Sequence, residues 1–202
     1  MPNRLLAASS LETPRVRTRQ KRRHGPRWQV LEELRRLGYK QIIGVDEVGR
    51  GAISGPVVVA AVELYQPIDG IDDSKLLQRQ SRVRIERQIV NNAVQIAIGS
   101  SSNKEIDQLG LTAALNLAYR RCLTAMNFDL ILTDNYRLSD WPHIKTVKGD
   151  QFFYPVAAAS IVAKVYRDQL MRLYHRFWPQ FGWIANVGYG TRTHLEAIET
   201  HG

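Results

Sequence analysis

Cysteine is almost absent from this sequence: Cys122 stands alone among 202 residues. A single thiol excludes an internal disulfide and any zinc centre built from several cysteines. Cys122 falls in an apolar helical pattern, which predicts a buried structural thiol rather than a nucleophile. Long apolar runs are missing too. No stretch approaches the roughly 18 residues of a membrane-spanning helix, so no membrane association is expected. Acidic residues are nearly absent from the start of the chain. Residues 1–27 hold eight Lys or Arg against one acid, Glu12, and so carry +7 of the whole-chain net charge of +9. Few apolar residues and so much like charge predict an extension without stable structure. Such an extension holds polyanions loosely, or is simply solvated. An Arg-rich, acid-poor start is also the composition of an organelle transit peptide. The run Lys21-Arg22-Arg23 is not amphipathic, however, and a cytoplasmic protein is the expectation.

What remains is ordinary: 44% hydrophobic and 23% charged residues, enough chain for one domain over residues 28–202. Helical spacing of apolar residues marks 28–37, with Gly38 as a stop. Residues 41–46, 56–64 and 94–100 read as strands. A polar helix runs from about Leu76 to Asn91, led by Asp72-Asp73-Ser74. One or two helical turns cover Ser102 to Leu109. An amphipathic helix follows at 111–126, then short strands at 128–134 and 144–148. The longest helical pattern is 156–178, stopped by Pro179. The stretch GWIANVGYGT is a loop, and a last helix starts near Thr193. Strands mixed with helices, with the early strands adjacent, predict an α/β layered fold with a mixed sheet.

Two strand-like runs end in acids, IIGVDE at Asp46-Glu47 and LILTD at Asp134. Ligands of open α/β sheets bind outside strand ends. If the two strands are neighbours running the same way, three carboxylates converge at one edge. Asp168 lies on one side of the long helix with Ala157, Ile161 and Lys164 by its spacing, and is a fourth candidate. Like charges so close stay ionised only beside a cation. All-oxygen donors suit Mg²⁺ or Mn²⁺, and two such ions ~3.5–4 Å apart are a common device for phosphodiester cleavage. Each acid also has a plainer reading. Asp134-Asn135 is ordinary turn chemistry, and Asp168 is in place for an ion pair with Arg172 at i+4.

Six stretches in order carry a resemblance: GVDEVGRG at 44–51, GPVVVAAV at 55–62, DDSK at 72–75, KGD at 148–150, AAASIVAKVYRD at 157–168 and GYGT at 188–191. Together they resemble type 2 ribonuclease H (ribonuclease HII) over roughly residues 28–201. The resemblance implies a ribonuclease H-like fold with a mixed five-stranded sheet flanked by helices. It implies an endonuclease that cuts the RNA strand of RNA–DNA hybrids and cuts at ribonucleotides embedded in duplex DNA, leaving 5′-phosphate and 3′-hydroxyl ends. It implies Mn²⁺ or Mg²⁺ as cofactor, held by four catalytic acids that fall on Asp46, Glu47, Asp134 and Asp168. A monomer is expected.

The remaining motifs take roles from the same resemblance. Gly49, Arg50 and Gly51 match a substrate-gripping loop in which glycine lets the backbone approach closely. The 2′-hydroxyl such a loop touches is what marks RNA against DNA. Tyr189 matches a tyrosine that packs on the sugar at the RNA-to-DNA junction; alone, it reads as a surface aromatic. Lys75 and Lys164 are candidates for phosphate or active-site contacts; alone, each reads as a solvated charge. Trp178, Phe181 and Trp183 are expected to close the core rather than stack on bases. The sequence departs from the family at Asn135, where a glycine commonly follows the aspartate. The Gly-Arg-Gly form of the loop favours type 2 over type 3, and the basic extension looks nothing like the folded N-terminal domain of type 3. Many relatives continue past the last motif with a substrate-binding segment, whereas this sequence stops at Gly202. On the residues alone two other readings stay open: a different two-metal nuclease or integrase on the same fold, and a hybrid-binding protein without activity.

Overall fold

The computed structural model describes residues 26–71 and 77–202. Helix α1 (Trp28–Arg36) leads into strands β1 (Ile42–Val48) and β2 (Val57–Leu64). Helix α2 (Arg79–Asn92), strand β3 (Ala93–Ser101), helices α3 (Asn103–Leu109) and α4 (Leu111–Leu123), and strands β4 (Leu130–Asp134) and β5 (His143–Thr146) follow. The chain closes with a short α5 (Gly149–Phe152), the long α6 (Tyr154–His175), a 3₁₀ turn at Pro179–Phe181, α7 (Trp183–Asn186) and α8 (Arg192–His201). The five strands form one sheet in the order β3-β2-β1-β4-β5. β1, β2 and β3 pair antiparallel, whereas β4 and β5 join parallel to β1.

Alternation along the strands decides which residue meets which layer. Val57, Val59 and Ala61 of β2, with Ile43 and Val45 of β1, pack on Leu115, Ala118 and Cys122 of α4. Ala60, Val62 and Leu64 face the other way, onto Ile85 and Ile89 of α2 and the apolar face of α6. α1 closes one end through Leu31 and Leu34 against Ile42, Leu130 and Val156. Buried on both faces, β2 therefore reads as an apolar run, VVVAAVEL, interrupted only by Glu63.

α6 lies along β1 like a ruler. At Gly44 an added Cβ would run into the backbone of Pro155 and Val156. Further along, Ser160 hydrogen-bonds Asp46, and at Gly49 a Cβ would meet Arg167 Nε at 2.6 Å. Twelve residues of helix rise about 18 Å and five of strand about 17 Å, so the two elements stay in step. Hence the residue after Arg167, Asp168, arrives just past the end of β1.

Several sequence expectations shift. β1 runs on to Val48, so Asp46 and Glu47 lie within the strand rather than at its end. α6 is 22 residues long and ends at His175, and Pro179 opens a 3₁₀ turn instead of stopping the helix. Helical turns also occupy Gly149–Phe152 and Trp183–Asn186, inside stretches without helical periodicity. Pro26 is buried, and Arg27 bridges to Phe153, so order reaches slightly before Trp28. The extension expected at 1–27 otherwise lies outside the described residues. So do Asp72, Asp73, Ser74 and Lys75.

Candidate active site

Because side chains alternate along a strand, the two acids of β1 leave on opposite faces. Glu47 points towards α4, where the Tyr119 hydroxyl donates to Oε2 at 2.6 Å. Tyr119 is itself fixed by stacking on Tyr136, with centroids 4.3 Å apart. Asp46 points towards α6 and Ser160. The parallel register pairs Val45 with Thr133, so Asp46 and Asp134 are the next residues on neighbouring strands. The Gly149 N–H donates to Asp134 Oδ1 at 2.9 Å and holds that carboxylate from the side.

Asn135 explains the missing glycine after Asp134. Its φ is 49°, in the left-handed region that glycine favours and asparagine tolerates better than other side chains. The turn that presents Asp134 thus survives the substitution.

The β1 end is short of positive charge. Burial first, then the charges of Glu47, Asp134 and Asp150, push the Asp46 carboxyl well above the usual range, against the Ser160 hydrogen bond. Burial raises Glu47 as well, opposed by the Tyr119 hydrogen bond and by Arg50, with Asp134 adding to the rise. Arg50 is a weak counter-charge, 65% exposed and 3.9 Å from Glu47 Oε1.

Asp168 has the opposite setting. It is 6% exposed, receives Lys164 Nζ at 2.7 Å, and lies 3.8 Å from Arg82. Arg172, its i+4 neighbour, sits close enough for the two charges to act on each other but forms the weaker association of the three.

The loops around these acids are stapled by Arg167, which is fully buried. Its guanidinium donates to three backbone carbonyls: Pro56 at 2.9 Å, Val187 at 2.7 Å and Ser54 at 3.0 Å. The Ile53 and Ser54 N–H groups also reach Gly188 O, at 2.9 and 3.2 Å. The Gly49–Gly51 loop and the Tyr189 loop therefore form one unit. The Tyr189 ring lies 5.4 Å from Lys164 Nζ and 5.6 Å from the Arg167 guanidinium carbon. Beneath it His194 is buried, with Nδ1 2.9 Å from Tyr189 O and Nε2 accepting from Trp183 Nε1 at 3.0 Å.

Of the predicted residues, Asp46, Glu47 and Asp134 come together, with Gly49, Arg50 and Gly51 directly beyond β1. Tyr189, Lys164 and Asp168 form a second group joined to the first through Arg167. Lys75 is outside the described residues. Trp178 departs from the expected core role: it is 47% exposed, in a surface cluster of rings with Trp183 and Phe177. Cys122 is buried, and burial lifts its thiol to about 12, so it is inert as expected. Tyr119, Asp150, Arg167 and His194 were not singled out from sequence. Arg167 had a visible signal: an arginine amid the apolar helix stretch before Asp168.

Among the described residues no three carboxylates already stand as ligands around one point. The donor chemistry nevertheless fits a hard divalent cation. The set is all oxygen, and its β1 carboxylates hold protons too tightly, through burial first and neighbouring acids second.

The ribonuclease HII family model matches residues 43–202. A ribonuclease HII of Orientia tsutsugamushi (strain Ikeda) is 43% identical over 166 residues, covering 80% of each chain. Among solved structures, ribonuclease H2 from Pyrococcus horikoshii OT3 has a TM-score of 0.67 at 24% identity, covering 80% of this chain and 87% of that one. Bst ribonuclease HIII in complex with Mn²⁺ has a TM-score of 0.59 at 18% identity, over 82% and 71% of the two chains. At these identities the structures speak to the fold, and they share it. This chain belongs to the ribonuclease HII family, metal-dependent endoribonucleases of the ribonuclease H type.

Proposed function

We propose that this enzyme cuts the RNA strand of RNA–DNA hybrids and cuts duplex DNA at embedded ribonucleotides, leaving 5′-phosphate and 3′-hydroxyl ends. One observation carries the reading. The parallel register of β1 and β4 makes Asp46 and Asp134 successors on neighbouring strands, with Glu47 next in β1, and α6 runs alongside β1 so that Arg167, the residue before Asp168, meets Gly49. In this reading the four carboxylates hold Mg²⁺ or Mn²⁺. A pair of such ions supplies a nucleophile at neutral pH and neutralises the leaving oxygen.

The chain's own residues do the rest. Tyr119 and the Gly149 N–H hold Glu47 and Asp134 in place as acceptors. Asp168 turns away from Lys164 to join the set, which frees Lys164 for a phosphate. The Gly49–Gly51 backbone and Arg50 approach the ribose 2′-hydroxyl, and Tyr189 packs on the adjoining sugar. Arg167 keeps those two recognition loops in register with the acids. Lys75 belongs to the same proposal as a phosphate contact. The protein acts in the cytoplasm as a monomer, and no described helix is long and apolar enough to cross a membrane.

The test is incubation with a DNA duplex carrying one ribonucleotide, in Mg²⁺ or Mn²⁺, with the cut mapped. Cleavage at the ribonucleotide with 5′-phosphate and 3′-hydroxyl ends, lost in Asp46→Asn, is expected. Equal cutting of all-DNA duplex overturns the substrate reading, and full cleavage by Asp46→Asn at saturating Mn²⁺ overturns the site.

A further inference from the structure

The furrow between α2 and α6 holds more positive charge than packing explains. Arg82 reaches Asp168 across it at 3.8 Å. One turn back along α2, Arg79 acts on Arg172, which is one turn further along α6. The helices thus cross the furrow antiparallel, with arginine facing arginine. Lys164 adds a fourth cation, and among the described residues the acid that Arg82, Lys164 and Arg172 have in common is Asp168. Neither Arg79 nor Arg172 pairs with an acid among the described residues.

Arg172 shows that the cluster is unsatisfied. Its Nε is buried without a hydrogen-bond partner. Burial, then Arg79 and Arg82, push its guanidinium below the ordinary range against the pull of Asp168. A partly desolvated cation with an orphan N–H and two like-charged neighbours is costly unless an anion arrives. The guanidinium fork matches phosphate oxygens in geometry as well as charge. Arg79 is exposed, so the furrow opens to solvent at that end.

We propose that Arg79, Arg82 and Arg172 form a phosphate-binding site that seats a backbone phosphate of the bound nucleic acid beside Asp168. The site rests on the nucleic-acid reading above, and it adds a contact remote from the Gly49–Gly51 and Tyr189 loops. A phosphate held here fixes the strand on the Asp168 side while the loops fix the sugar on the other. It also supplies Arg82 and Lys164 with another anion, which releases Asp168 towards the β1 acids.

The experiment uses the full chain and a fluorescent RNA–DNA hybrid. Binding is measured by anisotropy in EDTA across a salt series, and cleavage by KM and kcat. For Arg79→Gln/Arg172→Gln, binding is expected to weaken by about tenfold or more, and the slope of log K against log salt to fall by about one to two. KM rises by about tenfold while kcat changes far less. Arg84→Gln/Arg87→Gln removes the same charge from the exposed side of α2 and is expected to cost threefold or less (about one surface charge's worth of steering). A wild-type KM and salt slope in the Arg79/Arg172 variant overturn the site, and so does an equal loss in the Arg84/Arg87 variant. Arg79→Gln alone changes an exposed position and keeps the test open should Arg172→Gln unfold; Arg172→Lys keeps the charge and removes the fork. A wild type that binds the hybrid and never cuts it refutes the proposed function, not the phosphate site.

Discussion

Asp46 and Asp168 are carboxylates of one candidate centre with opposite surroundings. Asp46 is ringed by Glu47, Asp134 and Asp150, and its carboxyl is pushed upward. Asp168 is ringed by Lys164, Arg82 and Arg172. Among the described residues, one half of the candidate site is short of positive charge and the other of negative charge. In the proposed function a divalent cation would satisfy the first half and a phosphate the second. The folding free energy of the empty protein bears the cost of both.

Substitutions break this comparison in distinguishable ways. Asp46→Asn and Asp168→Asn are each expected to lower kcat on a ribonucleotide-containing duplex by about 10⁴-fold, since each removes a member of a set that acts as a unit. Next in size is Arg167→Ala, which orphans three carbonyls and leaves a cavity. We expect a loss of about 3 kcal/mol in denaturant unfolding, together with a raised KM. The two aspartates then part company. Without metal, Asp168→Asn leaves Lys164 and Arg82 facing a neutral group and lowers Tm by several degrees, on the order of 2 kcal/mol. Asp46→Asn removes a repelled charge and raises Tm by about 2–4 °C, near 1 kcal/mol. The same sign for both variants contradicts the asymmetry. Smallest is Tyr119→Phe, which loses one hydrogen bond to Glu47 and is expected to cut kcat/KM by about threefold to tenfold.

The pH dependence follows from the same shift. A carboxyl raised in the folded state binds its proton more tightly there than when unfolded. Its ionisation therefore destabilises the fold at high pH, and that penalty fades as pH falls through the raised value. Only well below about pH 4, the ordinary carboxylate range, is Asp46 protonated in both states and without further contribution. The Tm advantage of Asp46→Asn over wild type should thus be largest near neutrality and shrink on acidification. Thermal melts between pH 4 and 8 check this, and an advantage that grows on acidification contradicts the assigned shift. Cleavage in Mg²⁺ or Mn²⁺ should fall over the same range, because only the ionised carboxylates hold a cation.

Much of the fold was legible because β2 is an apolar run broken only by Glu63 and the amphipathic patterns of α1, α4 and α6 are long. The acids were legible because carboxylates so near an apolar strand need a reason. Element ends were less so. β1 continues through Asp46 and Glu47 since the pairing with β2 extends to Val48, a tertiary fact with no local signature. The four-residue turns at Gly149 and Trp183 are too short to show a period. The charge environment was hidden altogether: Arg79 and Arg172 are 93 positions apart in sequence and meet only because α2 packs on α6. Arg167 looked like a neighbour of Asp168, but its bonds run to residues 54, 56 and 187. The role of Asn135 needed its backbone angle.

The most direct measurement is the thermal response of the metal-free protein to Mn²⁺, taken in parallel on wild type and Asp46→Asn. The account predicts that wild type starts lower and rises with added Mn²⁺, whereas Asp46→Asn starts higher and responds weakly. Equal rises in the two proteins, from equal starting points, would show that Asp46 neither suffers the charge crowding nor holds the cation.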